Sequence, residues 1–185
     1  MAPGSSSRIW KKYYQKTKTR KIRHSIKFQI QKIQKSKEGV NSNFLSKTLN
    51  GVKNFIGAFP QDFLLNKTFT SPVSFIINLD VSSKTGSHWI ALYLDDSNIE
   101  VFDSLGLNPK TWLRKPTILL HFIHKNSRNR KLRITHKLQS DKSNLCGVFC
   151  LFFILARTVF SFREICNFFT SDLTINQKLL LNFFK

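Results

Sequence analysis

A cysteine stands at the point where a short polar loop gives way to a long apolar stretch. Cys146 opens residues 146–159, which are almost all apolar. This pattern predicts a buried helix with the thiol in its first turn, where the positive end of the helix dipole favours the nucleophilic thiolate. Gly147 leaves space for another chain to approach the sulfur. Taken alone, Cys146 would more often be a small buried residue, which is our interpretation of Cys150 and Cys166.

Three further side chains complete a set that could perform nucleophilic catalysis. His88 begins an apolar run and is followed by Trp89, which we expect to hold the imidazole in place. Asp103 ends the next apolar run, and in an antiparallel hairpin the start of one strand lies beside the end of the next. A carboxylate there would orient the imidazole as a general base for the thiol. Gln139, seven residues before Cys146, could donate to a developing oxyanion together with the Cys146 N–H. Taken singly, a strand His or a turn Asp is more often structural.

Apolar runs predict the elements that must position these residues. The predicted strands are residues 73–79, 88–94, 99–102 and 131–138. Turn residues at 95–98 join the second and third of them as an antiparallel hairpin. The predicted helices are a short one within residues 43–59, followed by an irregular segment up to Pro60, and then residues 109–124 with an interruption at Pro116, 146–159, 162–169 and 175–184. Strands clustered between helical ends indicate an α+β fold with a buried central helix.

Positive charge is concentrated near the N-terminus. The chain has 30 Lys and Arg against 10 Asp and Glu, a formal charge of +20. Residues 1–42 hold 12 of the basic residues and one acid, with too few apolar residues to form a core. We therefore predict a flexible basic arm at residues 1–42 and a folded domain at residues 43–185. The arm could neutralise nucleic-acid phosphates, act as a nuclear-localisation signal or be a solvated tail. Its candidate nucleic-acid contacts are Lys11, Lys12, Lys18, Arg20, Lys21 and Arg23.

Composition argues against several functional classes. The hydrophobic content of 41% is too high for a wholly disordered tail, and no run reaches the length of a membrane span. The chain lacks an apolar leader and has an odd number of Cys, so we expect a non-secreted protein with free thiols. His121 and His124, like Cys146 and Cys150, lack the four-ligand spacing of a zinc site, so we expect no metal. A second basic cluster at residues 125–137 could bind an anion or be a solvated surface.

The residues around these side chains resemble a known protease family. The segments GSHWIALYL, EVFDSLGL and LQSDKSNLCGVFCLFF have the His, Asp, Gln and Cys order of the adenovirus maturation protease (adenain) family. That family includes proteases of related viruses and of the virus-like Polinton (Maverick) transposons. The resemblance extends upstream to residues 54–60 and downstream to Asn176 and Gln177. It covers residues 43–185 and omits the basic arm.

The resemblance implies a papain-like cysteine protease fold in circularly permuted order, with a central helix packed on a small mixed or antiparallel sheet. It makes Cys146 the nucleophile, His88 the general base, Asp103 the residue that orients His88, and Gln139 the oxyanion donor. Adenain has Glu where this chain has Asp103, whereas SUMO and ubiquitin-like-protein proteases of the same clan have Asp. The family prefers small residues, often Gly, near the scissile bond.

The resemblance further implies a cysteine endopeptidase that processes viral or virus-like-transposon structural precursors during particle maturation, in the virion and the host nucleus. Its partners would be capsid or core precursor proteins and DNA, with no membrane, and it would act as a monomer. The chemistry would require no cofactor, and DNA and a substrate-derived peptide would be activators. In adenain that peptide bonds to a Cys that precedes the Gln. Because no Cys lies between residues 1 and 145, a disulfide-linked activator does not carry over to this chain.

Two alternatives stay open. A SUMO or ubiquitin-like-protein isopeptidase of the same clan would share the four catalytic residues but act on a folded modifier. A non-catalytic nucleic-acid-binding module would depend on the basic arm. The seven-residue step from Gln139 to Cys146 favours the adenain side, and the occupation of all four catalytic positions argues against an inactive enzyme.

Overall fold

The computed structural model describes residues 28, 31, 39–70, 72–106 and 118–184. From residue 39 onward, the described chain contains five α-helices, five β-strands and one 3-10 helix at Gln61–Leu64. The α-helices are α1 Ser42–Leu49, α2 Ile118–Asn126, α3 Cys146–Arg157, α4 Phe162–Asn167 and α5 Leu173–Phe183. The strands are β1 Phe55–Pro60, β2 Val73–Asn78, β3 Trp89–Leu94, β4 Asn98–Phe102 and β5 Lys131–Ile134.

The five strands form one mixed sheet in the order β1-β2-β3-β4-β5. The three central strands pair antiparallel, and the edge strands β1 and β5 run parallel to their neighbours. In the turn after β3, the Asp95 carboxylate accepts hydrogen bonds from the N–H groups of Ser97 (2.9 Å) and Asn98 (2.7 Å). This local bonding closes the predicted β3–β4 hairpin, in which Leu94 pairs with Ile99.

Alternate side chains of the sheet face two separate apolar layers. Ala91 and Phe102 lie on the side of α3, which packs there with α1, α4 and α5. The Phe102 ring stacks on Phe153 of α3 with 4.6 Å between centroids. On the opposite side, Phe75 meets Phe122 of α2 edge to face at 5.9 Å. Burial of each such ring contributes about 2 kcal/mol, so the sheet is fixed from both faces.

The structure confirms the predicted α+β class, with a central helix packed on a mixed sheet. The strand predicted to begin at residue 88 begins at Trp89. The helix predicted at residues 109–124 is observed from Ile118 to Asn126, and residues 107–117 lie outside the described residues. No helix in the described ranges is both long and apolar enough to span a membrane.

Three details of the prediction are wrong. The segment before Pro60, which we predicted to be irregular, forms β1 because it pairs with the buried strand β2. The strand predicted at residues 131–138 ends at Ile134, since the next residue bonds to the chain beyond β4 through its side chain. The folded unit also begins before residue 43, because Val40 is 5% exposed and belongs to the core around α3.

Candidate active site

The β3–β4 hairpin places His88 and Asp103 side by side. His88 directly precedes β3 and Asp103 directly follows β4, and the antiparallel register brings these two ends together. The His88 Nε2 atom lies 2.8 Å from Asp103 Oδ1. Both residues are buried, Asp103 completely. The same Oδ1 atom accepts a hydrogen bond from the Leu105 N–H at 2.9 Å, so the carboxylate is also oriented by its own turn.

Thr135, which directly follows β5, fixes the main chain of Asp103. Its buried Oγ1 accepts a hydrogen bond from the Asp103 N–H and donates one to the Asp103 carbonyl, each at 2.8 Å. The parallel pairing of β4 and β5 therefore sets the position of the carboxylate. Sequence reasoning missed Thr135, because its role is visible only after the two strands are paired.

Cys146 is the first residue of α3 and lines the same cleft as His88. The preceding residue, Leu145, gives the helix no side-chain cap, so it leaves the first-turn N–H groups without that partner. The charge of the Cys146 sulfur acts on the His88 imidazole and favours its protonated form. Because Asp103 holds Nε2, the ring nitrogen left for the sulfur is Nδ1. The structure thus brings three of the predicted catalytic side chains together, with Asp103 bonded to His88 and Cys146 lining the same cleft as His88.

The surroundings of His88 favour its protonated form. Burial by itself lowers the pKa of the imidazole, but the hydrogen bonds and charges of Asp103 and Cys146 outweigh burial and raise that pKa from 6.5 to about 9. At neutral pH the ring is therefore an imidazolium, which is the partner that stabilises a thiolate. The arrangement can supply a nucleophile and a proton donor in one place.

Gln139 lies in the loop between β5 and α3 and lines the same cleft. Only 2% of the residue is exposed. Its Nε2 donates to the Ser143 carbonyl at 2.6 Å, and its Oε1 accepts from the Ser104 hydroxyl at 2.6 Å. Because Nε2 carries two hydrogens, one N–H beyond the bond to Ser143 can face an oxyanion. Asn176 of α5 supports the loop by donating to the Leu138 carbonyl at 3.2 Å.

Trp89, which we predicted to position the base, connects β3 to the chain before α1. Its indole N–H donates to the Val40 carbonyl at 2.8 Å. The Val40 side chain in turn occupies the space that a Cβ on Gly147 would need. The chain that approaches Gly147 is therefore the protein's own segment at Val40. These contacts hold the start of α3 beside the residue that follows His88.

The cleft has a volume of about 950 Å³ and is open to solvent. Its lining comes mainly from the loop before β3, the loop before α3 and residues 39–42. The rim carries both charges: Lys84 lies 3.9 Å from Asp80, and Asp141 lies 2.6 Å from Lys137. A cleft of this size, with Cys146 among its lining residues, can admit an extended polypeptide.

Comparison with known protein families shows to which family the chain belongs. The sequence profile of the adenovirus endoprotease family matches residues 55–178, which is more than half of the chain. The chain belongs to the adenovirus endoprotease family. The family resemblance of the sequence motifs is thereby confirmed, and all four candidate catalytic residues fall within the matched span. Their individual roles stay predictions.

Relatives of this adenovirus endoprotease family member come from African swine fever virus. A SUMO-1 cysteine protease of a Namibian warthog isolate is 31% identical over 90 residues, which are 44% of this chain and 32% of that protein. A cysteine protease of the Vero-adapted Badajoz strain has the same identity and coverage. The chain thus spans about a third of the length of the curated relatives it matches.

One solved structure supports the predicted fold. The crystal structure of an African swine fever virus protease has a TM-score of 0.50 and 18% identity, covering 77% of this chain and 66% of that one. This likeness supports the cysteine protease fold. The C-terminal Ulp1 protease domain in complex with Smt3, the yeast ortholog of SUMO, has a TM-score of 0.41 and 14% identity, covering 80% and 79% of the two chains.

Asn78, at the end of β2, positions the loop that leads to His88. Its buried Oδ1 accepts a hydrogen bond from the Ser87 N–H at 3.2 Å. Gly86 has a φ of +90° and lies so close to the Asn78 amide that a Cβ there would collide with it. The Leu79 N–H then donates to the His88 carbonyl at 2.9 Å. Sequence reasoning missed Asn78, although a polar residue closing an apolar strand was the available signal.

Two sets of basic residues were also predicted as possible binding residues. The six Lys and Arg residues named as nucleic-acid contacts lie outside the described residues, so those contacts stay predictions. In the second basic cluster, residues 125–137, some side chains bond to other parts of the protein. The Arg130 guanidinium donates to the Asp95 carbonyl at 2.7 Å, and Lys137 pairs with Asp141.

The other two thiols differ from Cys146. Cys150 is buried within α3, and burial raises its pKa. Burial likewise raises the pKa of Cys166 to about 11. Neither thiol lines the cleft. Within the described ranges, no three His, Cys, Asp or Glu side chains are grouped to hold a metal ion.

Proposed function

We propose that the chain is a cysteine endopeptidase that cleaves structural precursor proteins during the maturation of a viral or virus-like-transposon particle. The observation that carries the proposal is the series Cys146–His88–Asp103 in an open cleft, with His88 protonated at neutral pH. A purely structural role does not require a thiol beside an imidazolium at a helix N-terminus. Membership of the adenovirus endoprotease family supports precursor proteins as the substrate class.

The proposed reaction begins when the Cys146 thiolate attacks the scissile carbonyl carbon. The Cys146 N–H and the Gln139 Nε2 group stabilise the oxyanion of the tetrahedral intermediate. As the C–N bond breaks, the His88 imidazolium gives its proton to the leaving amine. Neutral His88 then takes a proton from water, which attacks the thioester, releases the carboxylic acid and restores the thiolate. Asp103 stabilises the imidazolium both before the thioester forms and after it is hydrolysed.

DNA is the activator that we propose, with a substrate-derived peptide as a second one. The formal charge of +20, with 12 basic residues in the first 42, supports binding to phosphates. DNA held by the arm would keep the enzyme near DNA-bound precursors, in the virion and the host nucleus. Because Cys146 and His88 supply the nucleophile and the proton, the reaction itself needs no cofactor. We expect the enzyme to act as a monomer.

A SUMO-directed protease is the second candidate. The African swine fever virus relative that is 31% identical over 90 residues is named a SUMO-1 cysteine protease, which favours this alternative. Asp at position 103 also matches the SUMO proteases of the clan, as the sequence motif indicates. The two candidates share the chemistry and differ in substrate, because a SUMO protease must recognise a folded modifier as well as the scissile bond.

The test uses the full-length chain and two probes, a quenched-fluorescent peptide library and SUMO-1 with a C-terminal extension. We expect cleavage of library peptides that iodoacetamide and Cys146→Ala both abolish. Cys166→Ala is the matched control and should keep the wild-type rate, because that thiol lies outside the cleft. Double-stranded DNA should raise the rate at low salt and lose its effect at high salt. Cleavage of SUMO-1 alone would favour the second candidate, and no cleavage under any condition would overturn both.

A further inference from the structure

Ser104 is a buried residue that the proposed reaction does not use. It follows Asp103 directly, and only 1% of it is exposed. Its hydroxyl donates to Gln139 Oε1 at 2.6 Å. Its carbonyl accepts hydrogen bonds from the N–H groups of Leu138 and Gln139, each at 2.8 Å. Ser104 therefore holds Gln139 both at the main chain and at the end of the side chain.

The partners of Gln139 determine which way its amide points. The Ser143 carbonyl can only accept a hydrogen bond, so the amide group 2.6 Å from it must be the nitrogen. The amide oxygen then faces Ser104, whose hydroxyl can donate to it. The terminal torsion of a Gln side chain is broad and roughly two-fold, so the amide has no strong preference of its own. Because Gln139 is 2% exposed, bulk water has little access to replace either partner.

We propose that Ser104 is a positioning residue for the oxyanion hole, and that its hydroxyl locks the Gln139 amide with Nε2 toward the carbonyl that Cys146 attacks. The same bond strengthens Nε2 as a donor, because a hydrogen bond to the amide oxygen polarises the amide. One two-residue turn, Asp103 and Ser104, then sets both the orientation of the base and that of the oxyanion donor. This inference rests on the proposed protease function.

Loss of the Ser104 hydroxyl should slow the step in which the oxyanion forms. Removing one oxyanion donor lowers kcat by about 100-fold to 1,000-fold in other enzymes. Ser104 acts through Gln139, so Ser104→Ala should lower kcat by a smaller factor, about 10-fold, with KM little changed. Alkylation of Cys146 by iodoacetamide forms no oxyanion. Its rate and its pH profile should therefore be the same in Ser104→Ala as in the wild type.

The experiment compares Ser104→Ala, Gln139→Ala and the double variant in the full-length chain, using the library peptide that the wild type cleaves fastest. Ser74→Ala is the matched control. Ser74 is also a buried serine, 4% exposed, but it lies in β2 and its hydroxyl is 3.4 Å from the Asn54 carbonyl. We expect kcat to fall in Ser104→Ala and not in Ser74→Ala. The double variant should be no slower than Gln139→Ala, because Ser104 acts through that side chain.

Each outcome separates this inference from the proposed function. Wild-type kcat in Ser104→Ala would refute the positioning role while the protease function stands. A parallel loss of cleavage and of Cys146 alkylation would mean that the whole site is disturbed, and would also refute it. If the wild type cleaves no peptide, the proposed function fails first. If Ser104→Ala unfolds, Ser104→Cys replaces it, because its side chain is close in size to Ser and its thiol is only a weak hydrogen-bond donor. In that variant the labelling of Cys146 is measured by peptide mass, which distinguishes it from labelling of the new thiol.

Discussion

Asp103→Asn is a nearly isosteric change that removes one negative charge beside His88. In the wild type, the Asp103 carboxylate lies 2.8 Å from Nε2, and the pKa of His88 is raised from 6.5 to about 9 although burial acts to lower it. At 1.36 kcal/mol per pKa unit, this difference favours the imidazolium by about 3 kcal/mol. Among the groups that raise the pKa, Asp103 has the largest effect. In the Asn variant we therefore expect the buried ring to titrate at or below its ordinary value.

The direction of the pH effect follows from the role of His88. Imidazolium donates the proton to the leaving amine, so kcat is lost as pH rises through the pKa of His88. The wild type should lose activity near pH 9, and Asp103→Asn should lose it at least about 2.5 pH units lower. At pH 7 only about a quarter of the variant, or less, would carry the proton. The assay is the pH profile of kcat for a fluorogenic peptide, fitted separately for the two proteins.

Asp172→Asn is the matched control for this change. Asp172 caps α5 through hydrogen bonds to the N–H groups of Thr174 and Ile175, and it does not line the cleft. Asn is an equally good N-cap, so stability and the pH profile should both stay at the wild-type values. The reasoning is refuted if Asp103→Asn keeps its alkaline limb near pH 9, because the carboxylate would then not set the pKa of His88.

Three further predictions concern stability. Gly147→Ala should lower the free energy of unfolding by about 1–3 kcal/mol, since its Cβ meets the Val40 side chain. In urea unfolding, Gly147→Ala should cost much less free energy in a Val40→Ala background than in the wild-type background, and an equal cost would contradict the proposed collision. Arg157→Ala should cost about 3–5 kcal/mol, because Glu100, 2.6 Å from Arg157 Nε, is left buried without this partner; a loss under about 1 kcal/mol would disagree. The stability that comes from His88 should be complete below pH 6.5 and lost as pH rises to about 9. Thermal unfolding of His88→Gln should lack this slope, and an unchanged slope would count against it.

Local sequence signals predicted the parts of the site that depend on neighbouring residues. The turn residues after β3 specify a hairpin, and the structure shows the Asp95 side chain bonded to its own turn. A hairpin fixes which strand ends lie together, so His88 and Asp103 could be paired from the sequence alone. The apolar run after Cys146 likewise predicted the buried helix α3.

Contacts between distant parts of the chain could not be predicted in this way. β1 was missed because Gly57 has a φ of +140° and a register shift between Phe55 and Ala58 interrupts the alternation. Its partner, β2, runs parallel to it, so no tight turn joins the two strands and indicates their pairing in the sequence. Thr135 reaches Asp103 across 32 residues, and Trp89 reaches Val40 across 49. Such contacts become visible only when the whole sheet is assembled.

The central claim is that the Cys146 sulfur is the nucleophile of a peptidase. The most direct test treats the protein with limiting iodoacetamide at pH 7 and measures, in the same samples, the remaining peptidase activity and the fraction of Cys146 alkylated. We predict that activity falls in proportion to labelling and reaches zero when Cys146 is fully labelled, with Cys150 and Cys166 still free because burial raises the pKa of both thiols. Activity that survives complete labelling of Cys146 would contradict the account.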